Sequence, residues 1–198
     1  MGDLMRKEIT KFLTDLLIAD RLSDRQYYAK EVTVDANTNK AKRVDVMQFV
    51  PAGVFHVSDI EKGRFICYEI KSCVQDIYSG NGLNFLGDEN YIVTTAETYK
   101  KLLDSGDIGN GKLHNYIEEN YPDSSICFDF MIAVPKTVDG RNINAVCGEL
   151  DNPTTLDNIN NFKLLKMHCG NTLANRDKSL VELMFCMLRA KHNWSNRS

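Results

Sequence analysis

Phe65-Ile66-Cys67-Tyr68-Glu69-Ile70-Lys71-Ser72 sets a carboxylate and an ammonium two residues apart inside a stretch otherwise fit for a buried strand. Side chains at i and i+2 of a strand share a face, so Glu69 and Lys71 project together while Ile70 packs on the other side. Two charges in the middle of a sheet are costly unless they are paired, hydrogen-bonded or bound to a metal. The run is therefore a candidate site.

Upstream, residues 27–34 and 41–50 are rich in β-branched and aromatic side chains, and the polar run Asp35-Ala36-Asn37-Thr38-Asn39-Lys40 between them reads as a hairpin turn. The second strand carries Asp45 between Val44 and Val46, where β-propensity and burial both disfavour an acid. Pro51 and Gly53 break the pattern, so residues 54–63 read as loop before a third strand over 64–72. A three-strand meander sets the second and third strands side by side, bringing Asp45 within reach of Glu69 and Lys71. Before the hairpin, Ile9, Phe12, Leu13, Leu16 and Leu17 recur at helical spacing over residues 3–21, a helix that also carries Glu8.

Downstream, the Gly/Asn-rich residues 79–88 lack either phosphate-loop pattern and read as a loop, with substrate contact as the alternative. A strand is expected over 91–95, helices over 96–103 and 113–120, and a buried strand over 126–134 ended by Pro135. A short strand over 144–147 and helices over 155–167 and 178–191 complete the reading. The polar stretch 104–124 reads as an insertion. The whole implies one domain over 1–198, of α/β class with a mixed (α+β) sheet and helices on its faces.

Hydrophobic residues make up 43% and charged residues 26% of the 198, the balance of an ordinary globular protein, and the net charge of −3 argues against a broad nucleic-acid-coating surface. No apolar run is long enough to span a bilayer and no secretory signal is visible, so a cytoplasmic protein with no membrane partner is expected. The six cysteines form no CxxC pair and read as reduced thiols. His56 and the pair His168-Cys169 do not have structural-zinc spacing. Lys163, Lys166, Arg176, Lys178, Arg189 and Lys191 read as solvated helix faces, with phosphate contact as the alternative.

Asp45, Glu69 24 residues later and then Lys71 form the pattern D…ExK on neighbouring strands. Two carboxylates and the Ile70 carbonyl make a hard oxygen site suited to Mg²⁺ or Mn²⁺ shared with waters and a phosphate. A lysine beside such an ion can orient the attacking water and offset charge on phosphorus. The competing reading is a cross-strand ion-pair ladder on a half-solvated sheet.

With Arg43-Val44-Asp45-Val46, Tyr68-Glu69-Ile70-Lys71-Ser72, Asp76 and the strand near Tyr91, the chain resembles the PD-(D/E)xK nuclease superfamily. Within it the likeness is to MmcB-like nucleases and related phage-type proteins. It follows the order of elements over residues 1–95 and departs in having Val44 where the motif has proline. The resemblance implies a restriction-endonuclease-like core of helix, three-strand meander, helix and strand with added C-terminal helices. It also implies metal ligation by Asp45 and Glu69, catalysis by Lys71, and a further acid from the first helix or strand, Glu8 or Glu31. The implied activity is DNA hydrolysis. The alternative is an inactive nuclease-like fold that binds nucleic acid or protein, and a homodimer is the other partner considered.

Overall fold

The computed structural model describes residues 3–22, 27–168, 174 and 176–192. Six strands form a single sheet in chain order: β1 (Tyr27–Val34), β2 (Lys42–Val50), β3 (Arg64–Ile70), β4 (Glu89–Thr95), β5 (Asp129–Pro135) and β6 (Phe162–Met167). β1, β2 and β3 are antiparallel, β3, β4 and β5 run parallel, and β6 returns antiparallel. The β1–β2 turn places Asp35 and Asn37 at positive φ, 51° and 65°, a conformation that short polar side chains tolerate. This is a mixed α/β protein, as expected.

The helices lie on both faces of the sheet. On one, α1 (Asp3–Arg21) buries Leu13, Leu16 and Leu17 against Ile66, Tyr68, Ile70, Tyr91 and Val93, the i, i+3, i+4 stripe that the sequence carries. On the other, α4 (Ala96–Asp104), α5 (Lys112–Asn120) and α6 (Ile143–Asp151) cover Ile92, Phe130 and Ile132, together with Ile77 of the short α3 (Val74–Ile77). Also on this face, α7 (Leu180–His192) sets Leu183 and Met187 over Val32, Val44, Phe65 and Cys67. Phe130 and Phe65 have no exposed surface, so truncating either to alanine would cost about 3–5 kcal/mol. Both faces of β3 are covered. The charges of Glu69 and Lys71 are thus carried by a buried strand and not by a half-solvated one.

Two sequence expectations are corrected. Residues 144–147 are not a strand: the Asn142 side chain accepts the N–H groups of Asn144 and Ala145, capping α6, which then buries Val146 and Leu150 at i, i+4 spacing. Residues 155–167 are not a helix. They hold a 3-10 turn over Ile159–Asn161 and then β6, in which Phe162 and Leu164 alternate inward. The 54–63 loop also contains a single helical turn, α2 (Val57–Glu61), and Pro135 pairs with Phe162 at the end of β5. The stretch 104–124 carries α5, whose Leu113 and Ile117 are fully buried in the core.

Among the described residues the cysteines are free, with Cys67, Cys73 and Cys186 buried; Cys169 lies outside them. No described helix is long and apolar enough to cross a membrane.

Candidate metal centre

Asp45 sits where the sheet is irregular. The β1–β2 pairs run from Tyr27↔Phe49 to Lys30↔Val46 and resume at Val32↔Val44, skipping the position where Glu31 faces Asp45. Glu31 adopts a left-handed φ of 53°, and the inward side of β1 changes from Ala29 before it to Val32 and Val34 after it. A non-glycine residue there is strained by about 1–2 kcal/mol, and such kinks in strands gather beside functional sites. Asp45 turns across to β3, where its Oδ2 accepts the Ile70 N–H at 2.8 Å.

Glu69 lies on the neighbouring strand, one residue beyond the Val46↔Tyr68 pair, and is completely buried. Its Oε1 accepts the Asn84 N–H at 3.1 Å, whereas Oε2 has no hydrogen-bond partner. Burial first, and then the adjacent Asp45 charge, push the Glu69 carboxyl well above its ordinary range, against the opposing pull of Lys71 and the Asn84 N–H. Asp45 lies within hydrogen-bonding reach of Glu69.

Lys71 continues the sheet, its N–H donating to Val93 O at 2.9 Å, and its Nζ donates to Asn81 O at 2.6 Å. The loop carrying Asn81 closes over the pair. Gly82, at φ 65°, comes so near that a Cβ there would lie 3.2 Å from Glu69 Oε2 and 3.5 Å from Lys71 Nζ. Asn84 Nδ2 ties the loop to β2 through Arg43 O at 2.9 Å, while Leu83 and Phe85 enter the core. The Gly/Asn stretch is therefore part of the site's wall.

A cleft of about 600 Å³ opens at this place, lined by Asp45, Ile70, Lys71, Glu31, Asp76 and Tyr121 among others. Of the two further acids considered, Glu31 shares the cleft, ion-paired to Arg43 at 2.8 Å. Glu8 borders a different depression, with Ser72, Cys73 and Thr95. Asp76 is engaged locally, accepting the Ser72 N–H at 2.9 Å. Among the described residues no cluster of three or more acidic, His or Cys side chains is drawn to metal-binding distance.

The donors present suit a hard cation. Carboxylate oxygens from two strands converge, and Glu69 Oε2 is a buried acceptor with no donor, which a proton or a cation would satisfy. Asp45, Glu69 and Lys71 are thus brought together, and Ile70 joins them through its N–H. His56 begins α2, and His168 Nδ1 lies 3.1 Å from Asp129, both outside the cleft. Of the C-terminal cations, Arg176 pairs with Asp88, Lys178 with Asp35 and Lys166 with Asp129.

Sequence reading missed Asn84, whose backbone serves Glu69, and Tyr121, a buried residue of the cleft whose hydroxyl has no well-formed hydrogen bond. The burial of Leu83 and Phe85 on either side of Asn84 was the available signal for the first. Fold and site define a mixed α/β protein with a buried Glu69 behind an Asp45 and a Lys71 that line one cleft. No family model, curated protein or solved structure matches this chain.

Proposed function

We propose that the chain is a metal-dependent nuclease hydrolysing phosphodiester bonds in DNA. The observation that carries this reading is the pairing of the buried Glu69, one oxygen of it unsatisfied, with the half-buried Asp45, which lines a solvent-open cleft together with Lys71. Asp45 and Glu69 would hold Mg²⁺ or Mn²⁺, which when bound polarises a phosphoryl oxygen and acidifies a water.

The chain's own residues do the rest. Lys71, fixed by Asn81 O, orients the attacking water and offsets the charge that gathers on phosphorus. Gly82 and Asn84 bring the loop backbone against the carboxylates and exclude bulk water from them. Lys42 and Arg43 at the cleft wall meet flanking phosphates. Glu31, which faces Asp45 across the hairpin and lines the same cleft, is the acid proposed to supplement the pair.

Incubation of wild type and Lys71→Ala with plasmid and single-stranded DNA, with and without Mg²⁺ or Mn²⁺, tests this. Wild type should cut only with metal, and the folded variant should lose at least about 100-fold in rate. Cleavage persisting in Lys71→Ala would remove the role given to Lys71. DNA binding by wild type with no cleavage would replace the nuclease by a binding module.

A further inference from the structure

The most exposed large apolar side chains of the described residues cluster on one loop, Phe55 at 87% exposure and Val54 at 76%, followed by Val57 in α2. The loop is firmly built. Asp59 Oδ2 accepts the N–H groups of Phe55 and His56 at 3.1 and 3.0 Å, and Ala52 N donates to Asp59 O at 2.9 Å. Gly53 packs on that carboxylate so closely that a Cβ would lie 2.7 Å from Oδ2. An ordered loop that holds a phenylalanine ring in water is unfavourable unless something covers the ring.

Beside the projection is a recess. A groove of about 450 Å³ runs between this loop, Tyr27 of β1 and α7, with Phe49, Met184 and Met187 in it and no Asp, Glu, Lys or Arg among its lining residues. Aromatic and methionine side chains without charge are the composition of an interface centre.

We propose that this surface is the interface of a two-fold homodimer, the Val54-Phe55 projection of each copy filling the groove of the other. A projection and a recess on one patch make it self-complementary, which a two-fold contact requires. Tyr27, Val54, Phe55, Val57, Ile60 and Leu188 together expose on the order of 700 Å², near the ~800 Å² that each partner gives to a standard interface. A second copy brings the same uncharged patch, and a net charge of −3 is too small to hold two copies apart at physiological salt.

Sedimentation velocity of the full chain from about 1 to 100 µM tests the proposal. Wild type should run at twice the chain mass. Phe55→Asp and Leu188→Glu should each raise the dissociation constant at least about thirtyfold with unchanged far-UV circular dichroism. If Phe55→Asp fails to fold, Val54→Lys provides the same reading from a more conservative position. A wild-type monomer at the highest concentration overturns the proposal, as does a dimer that survives all these substitutions. A monomer that dimerises only once residues 193–198 are removed also overturns it, because the groove would then belong to the chain's own C-terminus.

Discussion

The Glu69 carboxylate lies within hydrogen-bonding reach of Asp45, yet its Oε2 meets no donor. Two acidic groups this close in a buried place repel unless a proton or a cation sits between them. The arrangement that the proposed cation site requires therefore costs stability in the absence of a cation.

Glu69→Gln separates the two. A folded-state pKa raised by burial and by Asp45 stabilises the fold below the unfolded value of about 4.3, and that stabilisation is lost as pH rises through the folded value. In EDTA the variant should therefore melt above wild type by a margin that grows as pH rises from about 5. Thermal melts over rising pH check it; a variant that melts below wild type at the highest pH would contradict the burial argument.

Gly82 and Gly80 offer a paired comparison. Both have positive φ, 65° and 76°, but a Cβ at Gly80 meets open space while one at Gly82 presses on Glu69 and Lys71. Alanine at either should cost about 1–2 kcal/mol from the backbone alone. Only Gly82→Ala should also weaken Mn²⁺ binding, by about tenfold or more. Equal losses in both variants would mean that the loop does not shape the site.

Glu31 is a strained residue in a strand. Glycine in a strand normally destabilises, by about 0.5–1 kcal/mol, but at a φ of 53° it relieves strain. Urea denaturation of Glu31→Gly should show stability equal to or above wild type. A loss greater than about 1 kcal/mol would assign the Glu31–Arg43 ion pair a structural weight that its exposure does not predict.

Much of this arrangement was legible in the sequence, and its gaps have local causes. α1, the β1–β2 hairpin, β3 and α7 follow from apolar periodicity, and the grouping of Asp45, Glu69 and Lys71 follows from strand order. The helix over 143–151 was hidden because its cap is an Asn142 side chain and only Val146 and Leu150 are buried. β6 was hidden because Phe162, Leu164, Leu165 and Met167 fit helical spacing as well as alternation. That Glu31 and not Glu8 borders the cleft depends on how α1 packs on the sheet, which local sequence does not specify. The wall built by Gly82 and Asn84 depends on a backbone approach that no local pattern encodes.

Asp129 provides a control remote from the chemistry. It begins β5, is fully buried, and lies 3.1 Å from His168 Nδ1 and 3.3 Å from Lys166 Nζ. Across β4 it is level with Tyr68, two strands from Glu69, and it shares the face of Met131 and Ala133, opposite the face of Phe130 and Ile92 that carries Glu69. Asp129→Ala should destabilise the fold by removing the acceptor that Lys166 and His168 face, yet leave the proposed DNA cleavage per folded molecule within about twofold of wild type. A variant with normal stability and lost cleavage would move the active centre to Asp129.

The acidic pair as a cation site is tested most directly by calorimetric titration of Mn²⁺ into the metal-free protein and into Asp45→Asn. Wild type should give a saturable isotherm whose apparent enthalpy varies with the buffer, because cation binding opposes the protonation that burial favours at Glu69, and Asp45→Asn should give none. A flat wild-type titration, or the same isotherm in the variant, would contradict the site.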